Sequence, residues 1–153
     1  MDGWQDLEPE VKAAPVSAPV RFGLRVMAKG RARGVVLVRR EVVTALAMST
    51  HRVDVRLGTG ANTHLLAIVP SDSGRFELLE MGTAKGGGTF RVMLPHIDKW
   101  PNTNFSVMAV GHEIQEQGKK RILVVKLPPV CWDAATRERA LKAASVRPSG
   151  PRS

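Results

Sequence analysis

Six basic residues that lie within sixteen consecutive positions are the clearest chemical signal in this chain. They are Arg25, Lys29, Arg31, Arg33, Arg39 and Arg40. A guanidinium group can donate paired hydrogen bonds to a phosphate or to the edge of a guanine base. The glycines of the segment KGRARG, residues 29–34, would let the backbone approach a phosphate closely. The cluster therefore predicts a surface that binds a polyanion, for which a nucleic acid is the usual candidate.

The surroundings of the cluster favour duplex DNA over single strands. No aromatic residue is interleaved with these six basic residues. Single-stranded nucleic acids are usually held by bases that stack on aromatic rings, whereas duplex DNA is held largely through its phosphates. A structural alternative is an edge strand whose charges prevent pairing with another chain. The sequence leaves both interpretations open.

Other reactive residues form no recognisable catalytic, metal or cofactor pattern. The four histidines are widely spaced and lack the H-x-H or H-x-x-x-H pairing of a metal site. They are His51, His64, His96 and His112. Cys131 is the single cysteine, and we interpret it as a buried or idle thiol. The glycine-rich run at 84–89 has its lysine before the glycines, unlike a phosphate-binding P-loop, and predicts a hinge. We expect no enzymatic activity, no cofactor and no metal ion.

The charge of the chain is unevenly distributed. The formal net charge is +9, with +7 in residues 21–60, +3 in residues 131–153 and −3 in residues 1–20. No apolar run approaches the ~20 residues that span a bilayer, and the acidic start lacks the apolar core of a secretory signal. A single cysteine suits a reducing compartment. We expect a cytoplasmic protein without a membrane partner.

Alternation of apolar and polar residues predicts a hairpin that carries the basic cluster. In residues 21–27, Phe22, Leu24 and Val26 alternate with polar residues, as in a half-buried strand. Residues 29–34 predict a turn, and the β-branched run 35–38 predicts the returning strand. Residues 40–48 predict a short helix, because their apolar positions recur at helical spacing. An arginine-rich turn would then project from the hairpin tip.

The middle of the chain repeats one pattern, over about 36–70 and 91–128. Each copy opens with an apolar strand, continues through a helical or looped stretch, and ends in strands closed by proline. Two such units can bury one another's apolar faces. Strands are predicted over 51–57, 65–69, 76–80, 90–94, 105–110 and 121–127. We predict one domain over 21–130 with a mainly β fold, a small barrel of two pseudo-repeated hairpin units with one or two short helices. Residues 1–20 predict a flexible arm, and residues 131–153 predict a helix followed by a disordered basic tail.

The first copy resembles the AbrB-type swapped-hairpin DNA-binding domain. The order of its segments matches that family: KGRARG, VVLV, REVVTALAM, HRVDVRL and LLAIVP. The Leu-Pro that commonly follows the family's first strand occurs only in the second copy, at 94–95. The Leu-Gly and Gly-Asp of the family are replaced here by Ala-Met at 47–48 and His-Arg at 51–52. The resemblance covers about 29–70, with a weaker match over 90–128.

The resemblance implies two interleaved hairpin units, which here would form a pseudo-dimer within one chain. It also implies DNA contacts from the basic residues of the first copy, namely Lys29, Arg31, Arg33, Arg39 and Arg40. The equivalent strand of the second copy offers only Lys85 and Arg91. If both halves dock on DNA, the contacts would therefore be asymmetric; the alternative is that the second half is purely structural.

Two functions remain open from the sequence. The first is duplex DNA binding through the basic hairpin, as a transcriptional regulator in a bacterium or a phage. The alternative is a non-enzymatic protein–protein adaptor or a structural component of a larger bacterial or phage assembly. The sequence also leaves open a homodimer or a protein partner.

Overall fold

A computed structural model describes residues 18–27, 30–81 and 88–146 of the chain. These residues form ten strands: β1 (Val20–Val26), β2 (Ala32–Arg39), β3 (Arg52–Leu57), β4 (Leu65–Pro70), β5 (Phe76–Glu77), β6 (Leu79–Met81), β7 (Thr89–Met93), β8 (Phe105–Ala109), β9 (His112–Gln117) and β10 (Lys120–Lys126). They also form two helices: α1 (Arg40–Ala45) and α2 (Ala134–Val146). Most of the predicted arm, Lys29, the glycine-rich hinge and the basic end of the tail lie outside the described residues.

The strands pair into two five-stranded sheets. The first sheet has the order β6-β7-β2-β1-β8, and the second has the order β5-β3-β4-β10-β9. Every pairing is antiparallel. The predicted mainly β class with two helices is confirmed. The pairings among the described residues define two sheets and no closed barrel.

The core lies between the inner faces of the sheets, and strand alternation selects its members. The first sheet contributes mainly Phe22, Val36, Val38, Phe90 and Val92, and the second contributes mainly Val53, Leu66, Ile68, Leu123 and Val125. All of them are at most 2% exposed. Burial of one such side chain stabilises the fold by roughly 1.5–3 kcal/mol. No polar or charged side chain among the described residues is buried with them.

Both sheets contain strands from the two predicted copies. In the first sheet, β2 of the first copy pairs with β7 of the second. In the second sheet, β4 of the first copy pairs with β10 of the second. Each copy also contributes one hairpin to the second sheet, β3-β4 and β9-β10. The two halves of the chain therefore share one core.

The hairpin turn is shorter than the predicted turn over 29–34. The Met27 N–H donates to the Arg31 carbonyl at 3.1 Å, which closes the turn, and Gly30 adopts a φ of +87°. β2 begins at Ala32, so Gly34 belongs to the strand. A Cβ at Gly34 would lie 2.6 Å from the indole of Trp100. Glycine is present there because an aromatic ring packs against the backbone, and the sequence prediction took it for a turn signal.

Helix α1 ends earlier than the predicted 40–48. Its last residue is Ala45, and Ala47 has a φ of +53°, in the left-handed region that stops a helix. Arg121 of β10 donates from its Nη1 to the Ala45 carbonyl at 2.8 Å. A tertiary contact thus satisfies a carbonyl that the helix leaves unpaired.

Two strand predictions were wrong in instructive ways. Residues 76–80 do not form one strand, because β5 pairs in the second sheet and β6 in the first. Leu78 lies between them, buried, with its N–H donating to the His51 carbonyl at 2.8 Å. The sequence prediction also missed β9, a largely polar strand at a sheet edge. Polar edge strands lack the apolar alternation on which such predictions depend.

Candidate nucleic-acid interface

The β1-β2 hairpin holds three of the predicted basic residues near one end. Arg25 of β1 lies directly opposite Arg33 of β2, and both occupy the outer face of the first sheet. Arg31 lies in the turn. Arg25 and Arg31 are exposed, and neither forms a hydrogen bond or ion pair with the described part of the chain. These two guanidinium groups are free to bind an anion.

A loop of the second half of the chain supports this hairpin tip. The side chain of Asn102 accepts a hydrogen bond from the Ala32 N–H at 2.5 Å and donates one to the Gly30 carbonyl at 2.9 Å. Asn104 accepts from the Val26 N–H at 2.8 Å. These contacts join residues that are 70 to 78 positions apart in the sequence. The tip is therefore positioned by tertiary structure as well as by its own turn.

The other predicted basic residues within the described ranges have partners in the protein. Arg33 donates from its Nε to the Leu94 carbonyl at 2.8 Å. Arg39 pairs with Glu41, with Nε and Oε2 3.0 Å apart. A backbone hydrogen bond, followed by the hydrogen bond from Arg39, lowers the pKa of the Glu41 carboxyl. The structure thus separates the exposed, unpaired arginines of the turn from the paired arginine at the other end of the strand.

Arg40 contacts both an acid and an aromatic ring. Its Nη2 donates to Glu80 of β6, and its guanidinium lies 5.5 Å from the centre of the Phe90 ring. The side chain remains 55% exposed. An exposed ion pair contributes only about 0–1 kcal/mol. A phosphate could therefore replace Glu80 or Glu41 at little cost.

Two further arginines lie on the same outer face, of which the sequence prediction omitted Arg21 and named Arg91 only for the second copy. Arg21 and Arg91 flank Leu37, one from β1 and the other from β7. The Nε atoms of both are buried and have no hydrogen-bond partner among the described residues. Strand alternation placed Arg21 on the polar side of β1, but nothing local indicated that Arg91 would lie two strands away. We call the outer face with its five arginines the arginine face; its arginines are Arg21, Arg25, Arg33, Arg39 and Arg91.

The arginine face combines positive charge with an apolar floor. The strand residues described on it include no acid, and its aliphatic members lie between the arginines. A groove of about 280 Å³ crosses it, lined among others by Val35, Leu37, Met93 and Val107. The outer face of the second sheet carries both signs of charge, since Arg56 and Glu113 lie on it with Val124. The chain therefore presents one strongly basic sheet face and one mixed face.

Histidine and cysteine contribute no second site within the described ranges. Nδ1 of His96 lies 2.8 Å from the Ala32 carbonyl and donates to it, which is a structural contact. No three of the His, Cys, Asp or Glu side chains in residues 18–27, 30–81 and 88–146 come together as metal ligands. Cys131 is fully buried, and desolvation raises the pKa of its thiol to about 12. The expected buried thiol is thereby confirmed.

Comparisons with protein-family models, with curated proteins and with solved structures found no match for this chain. No helix in the described part of the chain is both long enough and apolar enough to cross a membrane.

Proposed function

We propose that this protein binds duplex DNA through the basic β1-β2 hairpin and acts as a transcriptional regulator. The observation that carries the proposal is the exposure of Arg25 and Arg31 at the tip, without protein partners in the described residues. Backbone phosphates are the dominant source of affinity for such basic surfaces. Arg33 and Arg39 lie on the same strand face and can extend the contact along the backbone.

The AbrB-like interpretation belongs to the same proposal. Each sheet takes strands from both halves of the chain, as interleaved hairpin units require. The basic tip occurs in the first half, and the described residues of β7 carry only Arg91 in the corresponding strand. Docking of the two halves on DNA would accordingly be unequal, with the first half making most phosphate contacts.

A double substitution tests the hairpin as the DNA-binding element. Arg25→Ala with Arg31→Ala removes two exposed guanidinium groups that no described residue uses. We expect the affinity for random duplex DNA to fall roughly tenfold or more at low salt, and the slope of log K against log salt to become shallower by about 2. Fluorescence anisotropy with a labelled duplex at several salt concentrations measures both quantities.

The matched control is Lys119→Ala with Lys120→Ala, at the turn between β9 and β10. Both lysines are exposed and form no ion pair with the described residues. This control removes the same charge from another place, so a purely non-specific effect would weaken both variants equally. Equal affinities of the hairpin variant and the unchanged protein would refute the hairpin as the contact surface.

Exposed apolar residues favour a second candidate function, that of a protein–protein adaptor or structural component. Leu79 and Met81 on edge strand β6 are 48% and 37% exposed, and Val107 on edge strand β8 is 40% exposed. Contiguous exposed apolar surface commonly marks a protein interface, and Leu79 and Met81 are neighbours on one face of β6. Sedimentation velocity at several concentrations, with and without duplex DNA, separates the candidates: self-association without DNA binding supports the adaptor.

A further inference from the structure

We propose that the acidic N-terminal segment of this chain, residues 2–10, docks on the arginine face. The segment reads DGWQDLEPE and contains four acids, Asp2, Asp6, Glu8 and Glu10, together with Trp4 and Leu7. It lies outside the described residues, and its occupancy of this face does not depend on DNA binding. Three observations on the face and one on the chain path support the proposal.

The first observation is that two hydrogen-bond donors on the face lack an acceptor. The Nε atoms of Arg21 and Arg91 are buried without a partner among the described residues. Buried polar groups in native proteins nearly always have a hydrogen-bond partner, and both arginines are half-buried, so part of each guanidinium group remains open to a ligand. Carboxylates laid across Leu37, between these two arginines, would supply counter-charges and acceptors for the open parts of their guanidinium groups.

The second observation is the unbalanced charge of the face. Its five arginines face no acid from the described strand residues, and the one side chain in the described ranges that Glu41 at the rim engages is that of Arg39. The acids of the chain are instead concentrated in the N-terminal segment, whose residues 1–20 have a net charge of −3. Phosphates would satisfy the arginines equally well, so charge alone does not select the occupant.

The third observation is the apolar floor of the groove, which favours the N-terminal segment over a phosphate backbone as the occupant. The groove of about 280 Å³ places aliphatic side chains between the arginines, with Leu37 and Val107 among them. Val107 packs where a side chain at position 23 would be, its Cγ2 2.8 Å from an ideal Cβ on Gly23. A phosphate backbone has no apolar group to cover this floor. A peptide that alternates acids with Trp4 and Leu7 offers both kinds of contact.

The path of the chain brings the segment to this face. Residue 18 is the first described residue, and the next carbonyl, that of Pro19, accepts a hydrogen bond from the Arg39 N–H at 2.9 Å. The segment therefore leaves the described structure beside one of the arginines of the face. The eight peptide units between residues 10 and 18 can span up to about 27 Å. Arg33 lies six residues along β2 from Arg39, or about 20 Å at ~3.3 Å per residue, and neighbouring strands are ~4.8 Å apart, so every arginine of the face is within reach.

Paramagnetic labelling of the full chain tests the proposal. A nitroxide on Gln5→Cys leaves every acid, Trp4 and Leu7 in place, and the buried thiol of Cys131 does not compete for the label. We expect loss of the methyl signals of Leu37 and Val107 on the arginine face, whereas those of Val69 and Val124 on the second sheet persist. The signals should return at about 1 M salt, where the Debye length is about 3 Å.

Two charge variants of the labelled protein provide the controls. Asp2→Asn, Asp6→Asn, Glu8→Gln and Glu10→Gln together should restore the Leu37 and Val107 signals. An equal number of changes at exposed acids elsewhere, Glu77→Gln, Asp98→Asn, Glu113→Gln and Glu138→Gln, should leave them attenuated. Persistent Leu37 and Val107 signals in the labelled, otherwise unchanged protein would overturn the proposal.

A mixture of differently labelled chains shows whether the docked segment comes from the same chain or from a second copy. In this sample, chains that carry the nitroxide but no isotope are mixed with isotope-enriched chains that carry no nitroxide. Docking within one chain then leaves all methyl signals unchanged. Loss of the Leu37 signal in that mixture would mean that the segment of a second copy occupies the face, which would also overturn the proposal as stated. None of these measurements involves DNA, so the proposed DNA binding can fail or succeed independently.

Discussion

The arginines of this chain differ in environment far more than their shared chemistry suggests. Arg31 is exposed in a turn, Arg33 donates to a backbone carbonyl, and Arg40 joins an acid and an aromatic ring. Arg21 has a buried Nε with no described partner. Since the guanidinium group remains charged at any physiological pH, its partners determine whether it stabilises the fold or binds a ligand. The unpaired arginines are the first candidates for ligand contacts, and an arginine in an exposed ion pair can exchange its partner for a ligand at little cost.

At the same scale, the thiol of Cys131 should be chemically inert in the folded protein. Desolvation raises its pKa to about 12, which lowers the thiolate fraction near pH 8 by about a thousandfold relative to a thiol with a pKa near 9. We expect labelling by a disulfide reagent only after denaturation. Ser106→Cys, exposed on β8, is the control thiol and should react at once; rapid modification of two thiols in that variant would contradict the burial.

The raised pKa of the Cys131 thiol should also reduce the stability of the protein at high pH. Between about pH 9 and 12 the unfolded chain releases the thiol proton while the folded chain keeps it. The folded state binds more protons in that window, so the free energy of unfolding should fall as the pH rises, by at most about 1.4 kcal/mol per pH unit. Denaturant titrations of Cys131→Ala should lack this contribution to the slope; identical slopes for both proteins would argue against a raised pKa.

At the scale of elements, β2 contributes side chains both to the core and to the arginine face. Its inner residues, among them Val36, enter the core, and its outer residues, among them Arg33 and Leu37, form the arginine face. Gly34 interrupts the inner row because the Trp100 ring occupies the space of its missing side chain. That ring also contacts Phe22 edge to face, with ring centres 5.4 Å apart. One strand thus connects the core to the candidate site.

Gly34→Ala should therefore destabilise the protein by overpacking. The new methyl group would lie 2.6 Å from Trp100 and 3.2 Å from Leu94, which forces one of them to move. We expect a loss of about 1–3 kcal/mol in the free energy of unfolding, measured by urea titration. Gly111→Ala is the matched control, because its Cβ would meet only the flexible side chain of Lys126; comparable losses in both variants would contradict the packing explanation.

At the scale of the whole molecule, the two halves cannot separate without exposing both sheets. Each sheet contains strands from the first and the second half, and the Leu66 and Leu123 side chains meet in one core. A loop of the second half also holds the hairpin tip of the first through Asn102. The basic tip is consequently a property of the assembled domain.

This arrangement predicts a single cooperative unfolding transition. Leu66→Ala in the first half and Leu123→Ala in the second should each cost about 2–5 kcal/mol. In both variants, circular dichroism and tryptophan fluorescence should shift together to lower urea concentration. Two separate transitions, with one half surviving the substitution in the other, would show that the halves are independent units.

Much of the fold could be predicted from the sequence because its strands follow simple alternation. Phe22 and Leu24 were correctly placed on one side of a strand, and the last strand, predicted over 121–127, is found as β10. The misses had tertiary causes. Gly34 is small because of Trp100, and the break at Leu78 arises because the chain crosses from one sheet to the other.

The sequence by itself determined which side chains share a face of each strand, since side-chain direction alternates with every residue of an extended backbone. It thereby separated Arg21 and Arg25 from the apolar residues of β1. Only the tertiary structure decided which strands are neighbours and in what register. That choice joined Arg40 to Glu80 and set Arg91 beside Leu37. Such pairings connect residues 40 or more positions apart and depend on how two sheets bury a common core, which no local pattern encodes.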